Sequence, residues 1–144
     1  MVFLADNPGV MAGTAAERAG ALRAAARLFA AQRRLRVPKL HVTLRKAFGF
    51  GSSAMAMNPF DRQTVALAYP GATLGAMPAR GGVAAAHADA ERQAALDAAE
   101  LGGPWRVADS MGFDEIIDPR ELRNALIDGL ALASGRDARP PGPC

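Results

Sequence analysis

The sequence predicts an α/β fold. Three observations carry this. Short apolar segments at 2–5, 39–44, 64–69 and 72–76 have the length and residue types of strands, helical patterns separate or follow them, and each of the first three strands ends in a glycine-bearing turn: Pro8-Gly9, Gly49-Phe50-Gly51 and Pro70-Gly71. Strands alternating with helices bury both layers against one another in a single domain.

Residues 2–5 open as an apolar strand, which Pro8-Gly9 ends. Gly13 and Thr14 open one long helix, and Thr14 with Glu17 has the spacing of a capping box. Leu22, Ala25, Ala26 and Phe29 give it an apolar face, with Arg18, Arg23, Arg27 and Arg34 largely off that face. Val37-Pro38 stops it. Residues 39–44 alternate as a half-buried strand, and Ser52 or Ser53 can cap a short helix running through Met57. Strand 64–69 is turned by Pro70-Gly71 into a further strand near 72–76. Gly81-Gly82 is a joint. Asp89 can cap a helix through Leu101, which Gly102-Gly103 ends. A short helix follows from Trp105 to Met111, then a brief apolar element at Ile116-Ile117. Asp118, Pro119 and Glu121 form a strong helix start, and Leu122, Leu126, Ile127 and Leu130 give that helix its apolar face. Residues 134–144, rich in Pro and Gly, read as a disordered tail behind a domain spanning 1–133.

The chain has 144 residues, half of them hydrophobic, so a core is possible; the apolar set is dominated by alanine, so each side chain buries little area. A net charge of +3 comes mostly from arginines interspersed with acidic residues, with no aromatic-interleaved basic stripe, which argues against a nucleic-acid partner. An anionic small molecule fits that charge equally well. The single cysteine, Cys144, excludes an internal disulfide, and no metal-ligand spacing is present, so no metal is expected and the compartment reads as reducing and cytoplasmic. No apolar run has the length of a membrane span. The opening Met-Val-Phe-Leu-Ala-Asp lacks a basic lead and reads as a strand that begins abruptly, as if an upstream part were missing.

Acid–base and nucleophilic candidates are few. His41 lies in a strand and His87 near a helix, and both read as structural or surface residues. Ser52 and Ser53 lack the glycine pattern of a nucleophile elbow. Asp118 is explained as a cap, and Asp114 and Glu115 read as solvated loop residues. Arg45-Lys46 either binds phosphate or ends a strand in solvent. The stretch Arg45 to Ser53 is therefore the chemical centre. Glycine lets a ligand approach the backbone closely, and adjacent N–H groups at a strand-to-helix turn form an oxyanion site. From the residues alone, such a site and a plain turn both remain open.

Four stretches resemble one family. They are Phe3-Leu4-Ala5-Asp6-Asn7-Pro8-Gly9; Val37-Pro38-Lys39 through Arg45-Lys46-Ala47-Phe48-Gly49; Ala68-Tyr69-Pro70-Gly71-Ala72 with Gly75-Ala76-Met77; and Gly112 through Arg120. In this order they resemble the carboxyltransferase (β) subunit of biotin-dependent acyl-CoA carboxylases, of the propionyl-CoA and acetyl-CoA carboxylase type. The resemblance implies a crotonase-like fold of ββα units, of which this chain covers the later part of the second domain. It implies carboxyl transfer from carboxybiotin to the α-carbon of an acyl-CoA, with biotin carried on a partner carrier protein, and a biotin carboxylase subunit as a further partner. It places the biotin oxyanion donors at the N–H groups of Phe50 and Gly51, with Gly49 beside them, and acyl-chain selectivity at Ser53. The family often has glycine where Phe50 stands, so the phenyl group could narrow the site. The family's site lies across subunits, which implies oligomerisation or pairing with a missing first half, and no turnover by this chain alone. A non-catalytic remnant or assembly module is the alternative. A crotonase-like hydratase or thioesterase would need a carboxylate near the glycine loop, and none is found.

Overall fold

The structure, a computed structural model, describes residues 1–58, 61–79 and 89–134. Gly81-Gly82, His87 and the tail from Gly135 onward lie outside the described residues; Ser134 is the last residue of a helix.

Five strands form one sheet: β1 (Val2–Asn7), β2 (Leu40–Phe48), β3 (Val65–Ala68), β4 (Thr73–Gly75) and β5 (Glu115–Ile116). The order is β1-β2-β3-β5, and every pairing is parallel. β2 is the spine. Residues 40–43 pair with β3, and Lys46, Ala47 and Phe48 pair with Thr73, Leu74 and Gly75 of β4. Among the described residues, six helices accompany the sheet: α1 (Thr14–Arg18), α2 (Ala21–Arg33), α3 (Gly49–Ala54), α4 (Ala90–Leu101), α5 (Gly103–Asp109) and α6 (Leu122–Ser134).

The pleat sorts the core into two layers. On one face Leu40, Val42, Val65, Leu67 and Ile117 pack against Leu122, Ala125 and Leu126 of α6. On the other, Ala66, Ala68, Ala72, Leu74 and Phe113 cluster with Ala47, and Met57 and Val107 pack on them. β2 is thus buried on both faces from Leu40 to Thr43, rather than alternating as a half-buried strand, because it is a central strand of a parallel sheet covered on both sides.

Several local expectations change. The long first helix is two helices, broken where Gly20 takes a left-handed φ of 78°. Gly13, not Thr14, precedes the first turn, and no side chain caps it, so the capping box does not form. The inward face of α2 is Ala25, Phe29 and Gln32, while Leu22 is 63% exposed. On α6 the inward row is Leu122, Ala125, Leu126, Gly129 and Ala133, and Ile127 and Leu130 face outward. Gly129 sets that rotation. A Cβ there would lie 2.8 Å from Leu40 Cδ2 and 2.9 Å from Val65 Cγ1, so the glycine lets α6 lie directly on the sheet.

Asp114 is not a free loop carboxylate. Its Oδ2 accepts the Ala66 N–H at 2.7 Å, and its own N–H donates to the Ala66 carbonyl at 2.8 Å. Asp114→Ala leaves the Ala66 N–H without its acceptor and is expected to cost about 1.5 kcal/mol in urea unfolding. A change below about 0.3 kcal/mol would show that water replaces the carboxylate. Asp118 does cap the last helix: its Oδ1 accepts the Arg120 N–H at 2.8 Å, and Pro119–Glu121 form a 3-10 turn before α6. Asp89 caps α4 in the same manner, through the Arg92 N–H.

Candidate functional site

β2 runs four residues further than its alternation suggested, because Lys46–Phe48 find partners in β4 and Ala47 stands opposite Asn7. α3 then starts at Gly49, so Ser52 and Ser53 lie inside this helix and neither caps it. The stretch 45–53 is therefore a strand end joined directly to a helix. Phe48 is extended (φ −117°, ψ 138°) and Gly49 reverses the chain with φ +54°. Only glycine fits here, since a Cβ on Gly49 would come within 2.7 Å of the Ala76 carbonyl oxygen.

The N–H groups of Gly49, Phe50 and Gly51 occupy the first turn of α3 and have no carbonyl four residues back within the helix. The Phe50 ring turns onto Phe29 of α2, with centroids 5.4 Å apart and planes tilted by 54°. The phenyl group is anchored to a neighbouring helix instead of standing free over the turn. Gly51 lies against the end of β1: a Cβ there would meet Asn7 Oδ1 at 2.3 Å and the Gly9 carbonyl carbon at 3.2 Å. Asn7 Nδ2 and Oδ1 are buried with no hydrogen-bond partner among the described residues, and the same holds for Ser52 Oγ. Buried polar atoms are normally paired, so these amide and hydroxyl groups beside the turn stand out as unsatisfied among the described residues.

A polar network holds the rest of α3. His41, fully buried in β2, donates from Nδ1 to the Met55 carbonyl at 2.8 Å and accepts at Nε2 from Thr43 Oγ1 at 2.8 Å. Its ring stacks on Phe113. Burial pushes its pKa down to about 4, so the ring is neutral in ordinary buffers. Gln32 Nε2 donates to the Ser53 carbonyl at 3.3 Å, and Asn58 Nδ2 donates to Ser53 Oγ at 2.9 Å. The buried ammonium of Lys39 donates to Gln32 Oε1 and to the Asp61 carbonyl, and Asp61 pairs with Arg33 at 3.4 Å. Burial lowers the Lys39 pKa.

Arg45 binds Asp6 at 3.0 Å, and the Lys46 N–H also donates to Asp6, at 3.2 Å. The Arg45 guanidinium holds the Asp6 carboxyl below its usual range. Arg45 is thus already neutralised within the chain.

Sequence reasoning missed Asn7, the buried hydroxyl of Ser52, and the network around His41. Asn7 carried a usable signal: Phe3 and Ala5 point inward, and the period of two places Asn7 on the same side.

The site is thus a glycine turn between a parallel strand and a helix, beside an amide and a hydroxyl that are buried and unpaired among the described residues. The chain belongs to the carboxyl transferase domain family, whose model matches residues 1–141. It is 36% identical over 142 residues to the uncharacterized carboxylase YngE of Bacillus subtilis strain 168, covering 90% of this chain and 28% of that protein. It is 33% identical over 147 residues to the carboxyltransferase subunit of propionyl-CoA carboxylase of Haloferax mediterranei, covering 94% of this chain and 28% of that one. Its structure matches the transcarboxylase 12S crystal structure, a hexamer described with methylmalonyl-coenzyme A and methylmalonic acid bound, at a TM-score of 0.83 and 28% identity over 99% of this chain and 28% of that one. The α/β, crotonase-like fold expected from the resemblance is the fold of these carboxyltransferases. The chain spans about a quarter of the length of these relatives. Among the described residues no helix is long and apolar enough to cross a membrane.

Proposed function

We propose that this chain forms the biotin side of an acyl-CoA carboxyltransferase site, receiving biotin on a carrier protein, while a partner domain or subunit holds the acyl-CoA. The observation that carries the proposal is the turn from Phe48 to Gly51, where first-turn N–H groups lie beside the buried amide of Asn7, which has no partner among the described residues. These groups fit a ureido ring, which presents one carbonyl oxygen and two N–H groups. Carboxylated biotin supplies the transferable CO2 and, after its release, the base for the acyl α-proton. The chain's own part is electrostatic: the N–H groups of Phe50 and Gly51 donate to the ureido oxygen, as preorganised dipoles that need no rearrangement during reaction. Gly49 brings the backbone close, and the Asn7 amide orients the ring. Ser53 is the residue that the family resemblance assigns to acyl-chain selectivity. Such a chain works in the cytoplasm within an oligomer.

A reconstituted assay tests this, mixing the chain with a domain that holds acyl-CoA and with a carboxybiotinylated carrier. Malonyl-type product is expected only from the mixture, none from the chain alone. Phe50→Pro removes one N–H donor and is expected to lower the rate roughly 100- to 1,000-fold, whereas Phe50→Ala keeps the donor and stays within about ten-fold. Equal losses in both variants would sink the backbone-donor assignment. A non-catalytic assembly role is the alternative, favoured by exposed apolar side chains such as Leu101 (83%), Leu132 (65%) and Trp105 (56%). Absence of product with every acyl-CoA offered would favour it.

A further inference from the structure

A cleft of about 650 Å³ lies at the opposite end of the sheet from the glycine turn, where α2 ends, β2 and β3 begin and α6 finishes. The Thr64 N–H donates to the Lys39 carbonyl there and ties the starts of β2 and β3 together. The length of β2, at about 3.3 Å per residue, puts roughly 25 Å between this end and Phe48. The cleft and the glycine turn share no residue.

Its walls are basic. Arg34, Arg36 and Arg62 line it and are exposed, and their guanidiniums make no ion pair among the described residues. No carboxylate lines it among the described residues. Asp61, next to Arg62 in the chain, is turned inward, where it pairs with Arg33 and accepts the Asn58 N–H. Lys39, buried behind the wall, feels the same field. Burial lowers its pKa first, and the charges of Arg33 and Arg62 lower it further against the opposing pull of Asp61. One cation is enough to offset the negative end of α2. Three without a counter-charge repel one another, and Arg62 stands there on a left-handed backbone (φ 58°) that disfavours a Cβ.

An anion supplies the missing charge. The planar guanidinium fork matches phosphate oxygens in pairs, so three forks match two linked phosphates better than one. Val37, Pro38 and Ala133 add an apolar wall against which an organic group can rest, and the volume suits a small molecule. We propose that this cleft is a binding site, separate from the glycine turn, for a diphosphate-bearing anion held by Arg34, Arg36 and Arg62. It does not depend on the carboxyl-transfer function, and either can fail alone.

Isothermal titration of the full chain at low salt tests this with pyrophosphate, inorganic phosphate, ADP and AMP. Pyrophosphate is expected to bind roughly ten-fold tighter than phosphate, and ADP roughly ten-fold tighter than AMP. Arg36→Gln and Arg62→Gln should each weaken pyrophosphate by roughly ten-fold and leave the melting temperature unchanged. Val37→Asp, which places a carboxylate at an exposed position of the wall, should abolish binding. Arg27→Gln removes the same charge from an exposed position of α2 outside the cleft and should have almost no effect. ADP binding tighter than pyrophosphate would identify a nucleotide as the ligand, through the apolar wall. The reverse order would identify pyrophosphate itself. Phosphate binding as tightly as pyrophosphate, or equal losses from Arg27→Gln and Arg36→Gln, would reduce the attraction to net charge and overturn the proposal, as would the absence of binding.

Discussion

Alanine in place of Gly49 is expected to destabilise the chain by roughly 3 kcal/mol and to disable the turn that follows. Two costs combine. The left-handed φ of +54° disfavours any Cβ by about 1–2 kcal/mol. The new Cβ also meets the Ala76 backbone oxygen at 2.7 Å, and a backbone carbonyl cannot swing aside as the end of a side chain can. Relief requires α3 to move away from the β4 end, carrying the N–H groups of Phe50 and Gly51 with it. Urea unfolding and the transfer assay should therefore fall together. Gly71→Ala is the control, since nothing lies within 4 Å of a Cβ there; it should change stability by less than about 0.5 kcal/mol. If Gly49→Ala unfolds at the same urea concentration as Gly71→Ala, the close approach to Ala76 is not a constraint.

Acid should weaken the fold through His41 well before the carboxylates protonate. In the folded chain its pKa is about 4, against an ordinary 6.5, and the cause is burial in β2. Between these values the unfolded chain binds more protons than the folded one. Stability is complete above about pH 6.5 and falls as the pH drops towards 4, by ~2 kcal/mol at pH 5 and ~3 kcal/mol at the lower limit. Asp6 and Asp118 do not contribute in this window. Their carboxyls, held by Arg45 and Arg120, lie below the usual 3.8, so what they add is lost only in stronger acid. The check is urea unfolding at pH 7.5 and pH 5 for the parent chain and for His41→Gln. A parent free energy that is flat between these pH values would show that the ring protonates in place.

The strands were legible because their apolar residues are dense and end in Pro-Gly or glycine turns, and the caps at Asp89 and Asp118 were legible because a short carboxylate reaches the N–H two or three residues on. The helix faces were not. In an alanine-rich helix many rotations bury a similar area, and the contact chosen depends on where the sheet leaves room. On α6 that room is at Gly129, and on α2 the inward row ends in a glutamine that bonds to Ser53. The glycine turn could be located from the sequence, but its boundary could not. Whether residues 45–48 continue a strand depends on β4, some 27 residues along the chain at Lys46 and Thr73. The surroundings of the Asn7 amide, unpaired among the described residues, were also not legible, because its neighbour Gly51 lies far along the chain.

The parallel pairing of the sheet also governs how the chain assembles. Val2 and Leu40 are 38 residues apart, Leu40 and Val65 are 25 apart, and Leu67 and Glu115 are 48 apart. None of these contacts is local, and folding rates fall as contacts become more distant along the chain. Loop length alone does not rank them. Doubling a loop costs only about 0.6 kcal/mol, so the longest and shortest of these closures differ by less than about 1 kcal/mol. The ranking comes from what each pairing buries. Joining β2 to β3 brings Leu40, Val42, Val65 and Leu67 together at once, while β1 adds a strand whose Val2 and Leu4 stay 40% and 48% exposed. The β2–β3 pair is therefore expected to form early, with β1, which buries Phe3 and Ala5, joining it; φ-values higher at Val42 and Leu67 than at Phe3 and Ala5 would bear this out, and the reverse order would overturn it.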